Sequence, residues 1–185
     1  FTAYTRNGGN AQSVSSDFIS SLCLDDQGLW IGTDNGLDYL DFQTGIFSHH
    51  YAPEDMPPDG FGLSSNNIRA LFKDSNGLIW IGTASGGLNV YNPRANSFKL
   101  HKRDGSDSGS LSNNRVLSIA ESPDGSIWVG TANGLNQLLP ARNSLRRFEN
   151  SRYRENSLAG NTVYSLRVDR SGGLWIGTNK GLDHY

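Results

Sequence analysis

Four segments that look alike, VSSDFI, LSSNNI, LSNNRV and LAGNTV, carry different chemistry at one equivalent place: Phe18, Asn67, Arg115 and Thr162. An aromatic ring stacks, an amide and a hydroxyl exchange hydrogen bonds, and a guanidinium clamps a carboxylate or a sugar hydroxyl. Variation of this kind on a repeated frame marks a binding surface, with Arg115 its strongest single contact. The column just before it does not vary in kind. Asp17, Asn66, Asn114 and Asn161 carry short side chains that accept from nearby backbone amides, so they are expected to hold a turn. A third column, Asp38, Asn89, Asn136 and Asp183, follows a glycine in each copy and either faces a channel or caps that turn. His184 completes the candidates for ligand contact, because the other copies place Tyr39, Val90 and Gln137 there.

Metal chemistry finds no support in the spacing. His49 and His50 are neighbours on one extended segment and point to opposite faces, while His101 and His184 stand in other copies. Asp74-Ser75-Asn76-Gly77 begins like a calcium loop, but the later acidic ligands are missing and a hairpin turn accounts for it. Neither a metal nor a cofactor is expected.

What positions these columns is a repeat. GLWIGTDNGLDYL from Gly28 returns as GLIWIGTASGGLNVY from Gly77, GSIWVGTANGLNQL from Gly125 and GGLWIGTNKGLDHY from Gly172. Trp30, Trp80, Trp128 and Trp175 fall 50, 48 and 47 residues apart and are all the tryptophans the chain has. Within one copy, the apolar runs VLSIA, SIWVGT and GLNQLL are punctuated by SPDG and TANG, and LRRF follows another polar break. Runs this short between turn formers read as strands A, B, C and D of an antiparallel meander. A single meander cannot bury both faces, whereas wedge-shaped sheets set radially bury each face against a neighbour. Alternation along strand B puts Trp and Gly on one face, so each indole is expected to pack on the adjacent sheet, with Gly32, Gly82, Gly130 and Gly177 leaving room.

The expected fold is therefore all-β: a β-propeller of four four-stranded antiparallel blades, forming one domain over 1–185. It is either a small closed ring or a fragment of a larger propeller. FTAYTRNGGNAQSV matches FKLHKRDGSDSGSL and LRRFENSRYRENSL in length, which makes residues 1–5 a strand D, expected to complete the last blade beside GLDHY. If closure occurs between two copies instead, the chain is a homodimer. The stretch YAPEDMPPDGFG makes one D–A loop three residues longer than its counterparts, a place where specificity tends to reside.

A net charge of -2 with both signs scattered leaves no electrostatic footprint for nucleic acid. No window approaches the ~18 to 20 apolar residues of a membrane span, so direct membrane insertion is not expected. FTAYTRNGGN lacks the order of a signal peptide, and the lone Cys23 has no internal partner.

The motif G-L-W-I-G-T-x-x-G-L, with a strand D carrying F and Y and then L-S-x-N before the next strand A, resembles the two-component regulator propeller repeat. Four copies at consistent spacing extend the resemblance over nearly the whole chain. It implies a non-catalytic sensor propeller from the extracytoplasmic, periplasmic part of a bacterial receptor, binding a small molecule or an oligosaccharide; several members respond to carbohydrate breakdown products. The alternatives are a propeller lyase or glycosidase and a scaffold without ligand. An enzyme would break the repeat with an acid, base or nucleophile in a concave pocket, and the departures here are mild. Ser122–Trp128 matches a sialidase aspartate box only with the wrong spacing.

Overall fold

The computed structural model describes residues 1–53, 62–139 and 144–185; among them are fifteen strands and no helix. The chain divides into two compact units, Phe1–Thr83 with Asn89–Leu100, and Ala84–Leu88 with His101–Tyr185. The first holds the sheet of β1 (Ile19–Leu24), β2 (Gly28–Thr33), β3 (Gly36–Asp41) and β4 (Phe47–His50). It also holds that of β5 (Ile68–Lys73), β6 (Ile79–Thr83), β7 (Leu88–Asn92) and β8 (Ser97–His101). In the second, β9 (Val116–Glu121), β10 (Ile127–Thr131), β11 (Gly134–Leu139) and β12 (Ser144–Phe148) form one sheet. The other there is β13 (Val163–Val168), β14 (Leu174–Thr178) and β15 (Gly181–His184). Strands pair in chain order, so the all-β blade pattern read from the repeat is what forms.

The β13–β15 sheet has three strands, and residues 1–5 form no strand. Tyr4 instead meets Phe47 of β4 edge-on, with ring centroids 5.6 Å apart, and the Arg6 amide donates to Asp17 Oδ1 at 2.7 Å. These local partners tie the N-terminal segment to the first unit.

Packing between sheets inside each unit follows from strand B. Trp30 is 4% exposed and Trp128 2%; each ring meets a tyrosine of the following sheet, Tyr91 at 5.6 Å and Tyr185 at 5.1 Å. Two residues on, a Cβ on Gly32 would strike the Ile68 side chain and one on Gly130 that of Val163, so glycine is what lets the sheets approach. Trp175 differs: among the described residues no such tyrosine covers it, its ring rests on His184 of its own sheet at 4.3 Å, and it is 41% exposed. Every strand A also carries a bulge, inserting Ser20, Arg69 and Tyr164 at equivalent points and breaking the register of β9 between Val116 and Ser118. In the first unit the bulge sets the Ser20 hydroxyl between Gly32 O (2.9 Å) and Ile68 O (2.8 Å), its one proton shared between neighbouring sheets.

Candidate functional site

The loop-bearing end of each blade is built from two sets of hydrogen bonds. The Asp/Asn column accepts from an amide at the start of its loop, two residues past strand D in the last three cases: Arg6 on Asp17 (2.7 Å), Ala52 on Asn66 (2.6 Å), Arg103 on Asn114 (2.7 Å) and Asn150 on Asn161 (2.6 Å). Sequence separations of 11, 14, 11 and 11 show the side chain closing the whole D–A loop, the longer one included. Of the inserted stretch Tyr51 to Gly62, residues 54–61 lie outside the described residues.

The second set lies beneath. Asp38, Asn89 and Asn136 are fully buried and accept from the amides of Ser15 (2.8 Å), Ser64 (3.1 Å) and Ser112 (2.9 Å); the less buried Asp183 takes the amide of Ala159. These strand C side chains thus hold the loop from inside rather than line a channel. The serine hydroxyls continue the network, Ser15 to Thr33 at 3.1 Å and Ser112 to Thr131 at 3.0 Å, while Thr33 and Thr131 donate to the carbonyls of Gly36 and Gly134. Those two glycines have φ of 124° and 111°, a conformation that disfavours any side chain. Their amides donate to Asn66 O and Asn161 O of the next sheet, which explains why the turn must take that shape.

On this frame the variable column stands outward. Phe18 is 76% exposed, Arg115 is exposed, and Asn67 and Thr162 are half-buried. The amides of Phe18, Asn67 and Arg115 are pinned by Ser16 Oγ (3.0 Å), Ser65 Oγ (3.3 Å) and Asn113 Oδ1 (2.8 Å), so their backbone is fixed while the side chain is free to differ. The first unit brings Phe18 and Asn67 into one hollow of about 270 Å³, together with Ser20, Asp34 and Arg69. Ser20 and Arg69 are the bulged residues, and Asp34 comes from the B–C turn; the sequence reading missed all three. In the second unit Arg115 and Thr162 flank Ala132, whose amide donates to Arg115 O and whose carbonyl accepts from the Thr162 hydroxyl.

His184 does not join this surface. It pairs with Trp175 in the register, and its Nε2 lies 3.4 Å from Asp169 Oδ2 in the A–B turn, at the other end of the sheet from Thr162. Asp169 is occupied with structural work there: hydrogen bonds from Ser171 foremost, then from Trp175 and the Gly173 amide, hold its carboxyl well below the usual range. The indole of Trp80 likewise donates to Asp74 (2.8 Å) and that of Trp128 to Ser122 (2.6 Å), each six residues back. Among the described residues no group of three His, Cys, Asp or Glu side chains is assembled that could hold a metal.

Strand D contributes a cation to the same end. His49 Nδ1 lies 2.7 Å from Asp38 Oδ1 and its Nε2 2.8 Å from Ala11 O. Burial depresses the imidazole, but the hydrogen bonds to Asp38 and Ala11 and the Asp38 charge outweigh it and raise the pKa above its ordinary value. Its neighbour His50, packed among Trp30, Tyr91 and Phe98, is pushed the other way, chiefly by burial.

Residues 13–35, 62–85, 110–133 and 157–180, together more than half of the chain, match the family described as two component regulator propeller. Among solved structures, the extracellular domain of a hybrid two component system from B. thetaiotaomicron is 25% identical with a TM-score of 0.81 over 99% of this chain. The chain spans 26% of that structure's length. A computationally designed protein is 16% identical with a TM-score of 0.62, each chain covered by 98% or more. Virginiamycin B lyase from Staphylococcus aureus is 17% identical with a TM-score of 0.60, over 91% of this chain and 55% of the lyase. No curated protein matches the chain in sequence.

Proposed function

The chain belongs to the two component regulator propeller family, and from that premise we infer that it is the ligand-sensing part of an extracytoplasmic receptor domain, without catalysis of its own. The carrying observation is the hollow where the variable Phe18 and Asn67, on loops whose amides are held by Ser16 and Ser65, meet Asp34 of the B–C turn and Arg69 of the β5 bulge. A preorganised loop surface of this kind binds without paying to order itself. Phe18 supplies a face for a sugar or other flat ring, and Asn67, Asp34 and Arg69 supply polar contacts around it, which suits a small molecule or an oligosaccharide. The likeness to an extracellular receptor domain at 25% identity supports the extracytoplasmic reading; the lyase, at 17%, shares the fold alone. Among the described residues no helix is long and apolar enough to cross a membrane.

Calorimetric screening of the purified chain against an oligosaccharide panel tests this. A hit should be weakened about tenfold or more by Phe18→Ala or Arg69→Ala with the melting temperature nearly unchanged. Binding that ignores both substitutions would place the ligand elsewhere, and turnover of a panel member would overturn the non-catalytic reading.

A further inference from the structure

The Asp34-Asn35 turn serves two hollows: Asp34 lines the one holding Phe18, and Asn35 lines a second, of about 290 Å³, with Arg6, Asn7, Asn10, His49 and Tyr51. We propose that this second hollow is an anion subsite, taking the carboxylate or sulfate group of a small hydroxylated ligand, with Arg6 as its clamp and Tyr51 as its wall.

The charges around it argue for an anion. Both ring nitrogens of His49 face groups that only accept, the Asp38 carboxylate and the Ala11 carbonyl, so both must donate and the ring is an imidazolium. Asp38, fully buried, is spent: Oδ1 on His49 and Oδ2 on the Ser15 amide. That pair is neutral as a whole, and Arg6 is left over. Its guanidinium has no ion pair among the described residues, while its main-chain amide donates to Asp17 Oδ1. Its charge therefore has no internal use.

The hydrogen-bonding inventory points the same way. Asn7 Oδ1 is occupied by the Gly9 amide and Asn10 Oδ1 by the Gln12 amide, which leaves the two NH2 groups to donate. Tyr51 is half exposed, stacks on His49 at 5.9 Å and has no hydrogen-bond partner for its hydroxyl among the described residues. Burial raises that phenol's pKa, so it stays a neutral donor. Asn35 donates to Ser15 O at 3.3 Å, leaving its carbonyl as the acceptor for a ligand hydroxyl. A surplus of donors around a free guanidinium, with one acceptor and one aromatic wall, fits an acidic sugar better than a neutral one.

The inference rests on the ligand-sensing reading, and the test separates the two. The 15N-labelled chain is titrated with D-galacturonate, with sodium sulfate and with D-galactose, following the Arg6 side-chain and the Tyr51 resonances. Galacturonate should shift both saturably, sulfate should shift Arg6, galactose neither, and Arg6→Gln should weaken galacturonate binding about tenfold. Tyr51→Ala should weaken galacturonate while leaving the sulfate response. Galactose binding as well as galacturonate, or an Arg6 resonance that never moves, overturns the subsite. Shifts confined to Phe18 and Asn67 in that case leave the sensing reading standing without it.

Discussion

At the same strand positions the β1–β4 sheet pairs Asp38 with His49, where the β9–β12 sheet pairs Asn136 with Arg147. In both, the strand C side chain takes the amide of a loop serine, and the strand D side chain reaches back over the blade to the carbonyls of the same loop. Arg147 does this alone, donating to Asp107 O, Ser110 O and Leu111 O. His49 can donate to Ala11 O and to Asp38 together only while protonated, and the carboxylate beneath it favours that state. The frame asks for a donor aimed at the loop; arginine is always one, whereas histidine needs an acid for a partner.

The largest expected effect breaks the first lock. Asp38→Ala leaves the Ser15 amide without its acceptor and takes from the mostly covered His49 the carboxylate that keeps it protonated; it should cost about 3 kcal/mol in a urea denaturation, the lower end for a broken buried pair. Asn136→Ala removes an uncharged side chain that accepts from the Ser112 amide and donates to Ser112 Oγ and Val129 O, and should cost about 1–2 kcal/mol. Equal losses would show that charge is not what separates the sheets. Arg147→Ala should cost about 2 kcal/mol, since water reaches the exposed Asp107 carbonyl but not readily those of Ser110 and Leu111.

A smaller effect is the pH profile of the first unit. His49 has a raised folded pKa, so its contribution is fully present below about 6.5 and is lost as the pH rises through the folded value. His50 has a lowered one, so its contribution is present above about 6.5 and is lost as the pH falls. The two oppose each other in the wild type. His50→Phe, the residue that β12 carries as Phe148, should expose a stability that only declines as pH rises from about 5.5 to 8, read as the melting temperature at constant salt. Adding Asp38→Asn should flatten the profile. A slope that survives would assign it to another group.

The legible part of this molecule is the part set by period and turn chemistry. Strand B, the glycine approach at Gly32 and Gly130 and the turn role of the Asp/Asn column all follow from residues in view of one another along the chain. The partner of that column, an amide 11 or 14 residues away, does not, because the sequence leaves open which end of the loop a side chain reaches. Bulges are equally silent: one extra residue per strand A delivers Ser20 and Arg69 to the Phe18 hollow, and nothing in ISSLCL or IRALFK marks the insertion. His184 was a variable position by alignment, but the register sets it beside the A–B turn, away from the loop end.

The finest difference between the two sheets lies in their tryptophans. Trp30 and Trp128 are buried alike, and each meets a tyrosine of the next sheet, so phenylalanine at either place loses similar apolar area. Their indole N–H groups differ. That of Trp128 donates to Ser122 Oγ at 2.6 Å, while that of Trp30 is buried and makes no well-formed hydrogen bond; the acid it faces, Asp25, is drawn through Oδ1 to Lys73. An unmade hydrogen bond already counts against the folded state, and removing its donor removes that penalty. Trp30→Phe should therefore be the milder change by about 1 kcal/mol, compared in denaturant melts monitored by circular dichroism. Lys73→Met sharpens the comparison: with Asp25 released to the Trp30 indole, the two Trp→Phe costs should converge. If they stay apart, the difference belongs to the surrounding rings, Tyr39 and His50 about Trp30 and Phe148 about Trp128, rather than to the hydrogen bond.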